Sequence, residues 1–290
     1  MRLQAGATAP EARDGRGRGG QCRRDGVRCR SRRYLIVTLD ASHGRTLATL
    51  AASRQAGGVP APCPDVARPS TISRRSSRCS PRGDGICVMV RAGRKRCIRA
   101  RQVPGRGAPL TAERGALFMC DEIQCGMYRC GTYPFGFQHF GIAPDVVTIA
   151  KGIASGFPMG MCAARAQVAA SFDPGDHGST FGGSCLAVAA AEATVRALAA
   201  EDAAGNAERT GAYLREKLTA LPQVEEVRGL GLMVACDLAE GVSAPDVVLA
   251  GLDEACCQLH RPRTLRFLPP LVCSKEDVDV LVQKLAALLS

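Results

Sequence analysis

Only five lysines occur in this 290-residue sequence, and one of them, Lys151, closes the apolar run Val146-Val147-Thr148-Ile149-Ala150. An ammonium at the end of a buried strand is desolvated, which lowers its pKa and frees the amine to attack a carbonyl. A strand-end lysine can equally snorkel into water, so the neighbours have to decide. A second apolar run, Ala116-Leu117-Phe118-Met119-Cys120, leads directly into Asp121 and Gln124. Further on, Ser179 and Thr180 sit in the glycine-rich stretch Gly175-Asp176-His177-Gly178-Ser179-Thr180-Phe181-Gly182-Gly183. An amine, a carboxylate, an amide and a phosphate-sized turn together suit pyridoxal 5'-phosphate. Lys151 would take the aldehyde as a Schiff base. Asp121 would keep the pyridine nitrogen protonated, so that the ring can accept carbanion electrons. Such a charge-assisted hydrogen bond is worth about 1.5–3 kcal/mol. Gln124 can bond the phenolic oxygen, and Thr180 can offer a hydroxyl and an amide to the phosphate. Each residue also has a plainer reading. Asp121 could cap a helix, the glycine loop could be a tight turn, and His139 and His177 read as ordinary loop residues.

The elements that must position these residues alternate in type. The runs ending at Cys120 and Ala150 read as buried strands, and Phe157 to Ala163 as a turn and a further strand. An Ala-rich helix is expected from about Leu186 to Ala200 and another to about Leu221. A strand near Leu232 to Asp237, a helix from Pro245 to Leu259, a short strand Thr264 to Leu268 and a terminal helix Lys275 to Leu289 complete the pattern. Strand ends carrying Asp121 and Lys151 would lie at one edge of a sheet, where open α/β folds bind ligands. The alternation predicts an α/β protein with a smaller terminal lobe.

Before Thr111 the texture is different. Tyr34-Leu35-Ile36-Val37-Thr38-Leu39 reads as a strand, and a helix could begin at Leu47. Around this island the chain is rich in Arg, Gly, Ser and Pro, and only Ile86-Cys87-Val88-Met89-Val90 has strand character between Arg54 and Pro109. So long a stretch without pattern inside a compact domain is unusual, and its arginine-rich texture is that of a GC-rich gene translated out of frame. Residues 1–113 hold 24 basic and 7 acidic side chains, whereas residues 114–290 hold 14 basic and 20 acidic ones. A basic arm of this kind suggests nucleic acid. The low aromatic content (4%), the missing recognition motif and the absence of helical period speak against it. No apolar stretch reaches membrane-spanning length. The fifteen cysteines are odd in number and follow no small-scaffold framework, which suggests reduced thiols and a cytoplasmic location. Cys120, Cys125 and Cys130 match no usual zinc spacing, and no metal is expected.

Longer motifs carry a resemblance. Asp121-Glu122-Ile123-Gln124-Cys125-Gly126-Met127-Tyr128-Arg129-Cys130-Gly131 resembles a motif of the class III pyridoxal-phosphate aminotransferases, with Cys125, Tyr128 and Cys130 where that motif has Thr, Gly and Thr. Pro144-Asp145-Val146-Val147-Thr148-Ile149-Ala150-Lys151-Gly152 resembles the family's lysine motif, and residues 175–183 its glycine-rich loop. This loop, Thr264-Leu265-Arg266-Phe267-Leu268-Pro269-Pro270-Leu271 and Ser42-His43-Gly44-Arg45-Thr46-Leu47-Ala48 are similar to the acetylornithine aminotransferase branch. The resemblance runs from about Gly115 to the end, with the island at 34–52.

It implies a fold type I homodimer with active sites at the subunit interface, an incomplete large domain with a mainly parallel sheet, and a smaller C-terminal α/β domain. The implied division is an irregular segment 1–113, a cofactor-binding portion 114–200 and a small domain 201–290. Lys151 would be catalytic; Asp121, Gln124, Lys151 and Thr180 would bind cofactor, Thr180 from the partner subunit. Arg45, Ser179, Glu122 and Arg266 would contact substrate, Arg45 and Arg266 through carboxylates. The implied reaction moves the δ-amino group of N-acetylornithine to 2-oxoglutarate. Other ω-amino donors (ornithine, succinylornithine, 4-aminobutyrate) or an inactive homologue are the alternatives. Two family features are absent: Ser42 adjoins His43 where an aromatic residue should stack on the ring, and no phosphate cup precedes Tyr34. Impaired activity is therefore expected.

Overall fold

The computed structural model describes residues 2–5, 22–24, 27–29, 34–37, 66–67, 86–90, 111–113, 116–176, 178–251 and 258–290. Its strands are β1 (Arg2–Ala5), β2 (Cys22–Arg24), β3 (Val27–Cys29), β4 (Tyr34–Val37), β5 (Val66–Ala67), β6 (Ile86–Val90), β7 (Leu117–Asp121), β8 (Val146–Ala150) and β9 (Gly160–Ala164). Helix α1 is the single turn Ala166–Ala169, and α2 spans Cys185–Ala200. After α3 (Ala203–Thr219) come β10 (Val224–Leu230), β11 (Met233–Leu238), α4 (Ala244–Ala250), β12 (Gln258–Arg261), β13 (Thr264–Phe267) and α5 (Lys275–Leu289). The chain divides into two compact units, residues 1–124 with 137–195, and residues 125–136 with 196–290.

The first unit carries a seven-stranded sheet in the order β1-β9-β8-β7-β6-β4-β5. Pairings β4–β5, β4–β6, β6–β7 and β7–β8 are parallel; β9 runs antiparallel to both β8 and β1. The Tyr34 strand and Ile86–Val90 thus sit side by side next to β7, so the pattern-poor segment contributes strands to the same sheet. β7 and β8 are continuous apolar runs because a parallel strand is covered on both faces. Met119, Val146 and Ala164 share one of those faces and pack with Val168, Ala169 and Phe172. Asp145 fixes the alignment of β7 with β8: its Oδ2 accepts the Phe118 N–H at 2.8 Å while its own N–H donates to the Phe118 carbonyl at 2.8 Å. A slip of one residue would turn every side chain to the opposite face.

The second unit is an antiparallel sheet, β10-β11-β13-β12, covered by helices. Val234, Cys236, Leu238, Leu265 and Phe267 point to one face and pack with Leu214, Leu218, Val278, Leu285 and Leu289. The other face is polar. Arg228 donates from both terminal nitrogens to the two oxygens of Asp237, each at 2.9 Å, and Thr264 donates its hydroxyl to the same carboxylate at 2.5 Å. The Arg228 side chain is 5% exposed, so the fork satisfies a charge that burial would otherwise make costly. Residues 125–136 belong to this unit through Arg129, whose guanidinium donates to the Pro269 carbonyl and whose own carbonyl accepts the Leu232 N–H. Burial holds the Arg129 guanidinium below its ordinary pKa, offset in part by the thiols of Cys130 and Cys273.

Two expectations change. The helix expected from Pro245 to Leu259 ends at Ala250, and Gln258–Arg261 is an edge strand. A strand precedes the one expected at Leu232, since Val224–Leu230 pairs with β11 as a hairpin around Gly231 (φ 51°). Val-Glu-Glu-Val-Arg alternates too weakly to announce itself. α5 begins as expected at Lys275, where Ser274 and Asp277 form a reciprocal capping box.

Candidate active site

β7 ends on Asp121, and β8 ends one residue before Lys151. The register pairs Asp121 with Thr148, so Lys151 lies one strand over and three residues further on, at the same edge of the sheet. Asp121 is 0% exposed, and its Oδ1 accepts the Ile123 N–H at 3.2 Å. The backbone of Lys151 is left-handed, φ 55°, at the start of the single 3-10 turn Lys151–Ala154. A non-glycine residue held there costs of order 1–3 kcal/mol and is characteristic of functional positions. Lys151 itself is exposed. The left-handed turn follows directly on the apolar run that precedes it.

The neighbouring acids have separate duties. Glu122 is 1% exposed, and its Oε1 accepts the Phe137 N–H at 2.9 Å, which ties the turn Gly136–Phe140 to the end of β7. Gln124 follows, half-buried. Ser179 is half-buried and Thr180 exposed in the turn that leads into α2. Arg266 is half-buried on β13 in the second unit, and Arg45 lies outside the described residues. The structure thus brings Asp121, Glu122 and Lys151 to one sheet edge. Ser179 and Thr180 stand in a loop of the same unit rather than on these strands.

Sequence reasoning passed over Thr148. Its side chain is 3% exposed, and its hydroxyl has no hydrogen-bond partner among the described residues. The available signal was a hydroxyl residue inside an otherwise apolar strand, two positions from its end. A buried carboxylate beside an unmatched hydroxyl, with a strained lysine on the adjoining strand end, is a donor and acceptor set that fits a polar aromatic ring bound at this edge. Among the described residues no group of His, Cys, Asp or Glu is gathered that could hold a metal ion.

Residues 106–289 match the family model described as aminotransferase class-III. The chain belongs to that family. Among class-III relatives, acetylornithine aminotransferase 1 of Bordetella pertussis is 39% identical over 270 residues, covering 88% of this chain and 67% of that protein. A match this broad reaches well N-terminal to position 106. The [LysW]-aminoadipate semialdehyde transaminase of Deinococcus radiodurans is 44% identical over 176 residues, which cover 60% of this chain and 41% of that protein. Among solved structures, an ornithine aminotransferase from Toxoplasma gondii superposes with a TM-score of 0.77 at 26% identity, over 89% of this chain and 64% of that one. The class-III chain described here therefore spans between two fifths and two thirds of these relatives, and its α/β fold is theirs.

Proposed function

We propose that this class-III chain works as a pyridoxal-phosphate-dependent transaminase, moving the δ-amino group of N-acetylornithine to 2-oxoglutarate. The observation that carries the reading is the register of β7 and β8, which sets buried Asp121 beside Thr148 and left-handed Lys151 on the next strand end. Pyridoxal phosphate, when bound, supplies an electron sink that lets the C–H bond next to the donor nitrogen ionise. Asp121 offers a carboxylate, shielded from water, to the ring nitrogen. Lys151 would hold the coenzyme through Nζ, and the same amine would serve as the base that takes and returns the donor's proton. Gln124 bonds the ring's phenolic oxygen. Glu122 acts from behind, its Oε1 already holding the Phe137 amide. Arg45 and Arg266 supply guanidinium forks for substrate carboxylates, and Ser179 lines the substrate side.

Thr180 of the partner subunit holds the phosphate in this reading. The exposed apolar side chains of Phe181, Leu186, Val188 and Val195 support a second copy that covers them. The enzyme is a cytoplasmic homodimer in this proposal. Among the described residues no helix is long and apolar enough to cross a membrane.

A second reading keeps the chemistry and changes the donor. Likeness to an aminoadipate semialdehyde transaminase and to an ornithine aminotransferase favours a longer or unacylated ω-amine. Transamination rates with N-acetylornithine, ornithine, succinylornithine and 4-aminobutyrate, each with 2-oxoglutarate, decide between them. The first reading expects N-acetylornithine to give the highest kcat/KM; equal or higher values for another donor overturn it.

A further inference from the structure

We propose that Thr148 is a positioning residue for Asp121: its hydroxyl donates to the Asp121 carboxylate when pyridoxal phosphate is bound, and holds that carboxylate toward the ring nitrogen. The inference rests on the cofactor reading given above and extends it to a residue outside the amine, carboxylate and phosphate-turn set. Three observations converge. Thr148 is 3% exposed and its Oγ1 has no hydrogen-bond partner among the described residues, a situation that folded proteins normally avoid. Thr148 is in register with Asp121, and the Glu122 N–H donates to the Thr148 carbonyl at 2.9 Å, so the two strands are locked together at this step. Paired residues on parallel strands present their side chains to the same face. Met119 and Val146, one step back, show this by packing in one cluster.

Adjacent strands lie about 4.8 Å apart, a gap that a hydroxyl-to-carboxylate hydrogen bond spans. On the other side Thr148 is in register with Cys162, whose sulfur is only a weak acceptor. The carboxylate of Asp121, in register on β7, is a strong acceptor. Its Oδ1 already accepts the Ile123 N–H at a long 3.2 Å. The Thr148 hydroxyl fixes its plane and leaves an oxygen directed at the ring.

The test uses the full chain purified without cofactor, as wild type, Thr148→Val, Thr148→Ser and Lys151→Ala. Thermal unfolding of the cofactor-free protein and an absorbance titration with pyridoxal phosphate are read on each. Valine matches threonine in shape and removes the unmatched hydroxyl, so cofactor-free Thr148→Val should melt higher by roughly 2 °C or more. The same variant should bind pyridoxal phosphate about tenfold more weakly, the effect of losing one hydrogen bond to a charged group. Thr148→Ser should bind within about twofold of wild type, because it keeps the donor. A purely structural role moves both readouts in the same direction. Thr148→Val that binds like wild type, or that melts lower without cofactor, overturns the proposal and leaves the cofactor reading standing. Wild type that binds no better than Lys151→Ala overturns both.

Discussion

The Glu122 carboxylate accepts the Phe137 N–H at 2.9 Å, across fifteen residues of sequence. Residues 125–136 between them belong to the second unit, whereas both partners of this hydrogen bond lie in the first. Glu122→Ala leaves a part-buried N–H without its acceptor and should cost about 1–3 kcal/mol in denaturant unfolding. Glu122→Gln keeps an acceptor oxygen and should cost less than half as much. Equal losses in the two variants would contradict the role given to the carboxylate oxygen.

Tyr128 adopts φ 61° directly after Met127 at φ 58°. The corresponding position of the family motif is glycine, which enters the left-handed region without a Cβ penalty. Tyr128→Gly should therefore raise the stability of this chain by about 1 kcal/mol, less whatever packing the half-buried ring contributes. The midpoint of chemical denaturation reads it. A drop of the same size would show that the ring's packing outweighs the backbone strain.

Gly211 lies inside α3, where alanine ordinarily stabilises a helix by about 1 kcal/mol. Here the sign reverses. A Cβ on Gly211 would fall inside the carbonyl group of Gly231, and backbone cannot yield as a flexible side chain can. Gly211→Ala should destabilise by about 1–3 kcal/mol or more. A melting temperature at or above wild type would contradict the close approach of α3 to the β10–β11 hairpin.

The Cys236 thiol is pushed up to about 12, first by burial and then by the Asp237 carboxylate. An unfolded thiol ionises near 8.5. The folded state therefore keeps a proton that the unfolded chain gives up. Its contribution is fully present below about pH 8.5 and is lost as pH rises toward 12. Cys236→Ala should be less stable at pH 7 from the cavity it leaves, yet show a shallower loss of stability between pH 9 and 11. Denaturation midpoints at those pH values are the measurement, and parallel slopes in the two proteins would refute the assignment.

Much of this architecture is readable from residues alone, for identifiable reasons. The runs before Asp121 and Lys151 are apolar on both faces because parallel strands are buried on both, and that pattern survives without context. The Ser274-x-x-Asp277 box announces α5 to the residue. β5 was obscured because Val66–Ala67 is only two residues long and is explained by its pairing with β4, whereas Ile86–Val90 keeps a strand pattern even among arginines and lies between β4 and β7. β10 was missed because its alternation is carried by Glu225, Glu226 and Arg228, the last of which is buried through Asp237, a partner nine residues away. Thr148 was overlooked because its lack of a partner exists only once β7 lies beside β8.

Covalent attachment of pyridoxal phosphate at Lys151 is the central requirement of the proposed site. Purified full-length chain mixed with pyridoxal phosphate, then freed of excess by gel filtration, should keep a visible absorption band. Lys151→Ala treated in the same way should come out colourless. A wild-type protein without the band, or a band of equal strength in Lys151→Ala, would contradict the central claim.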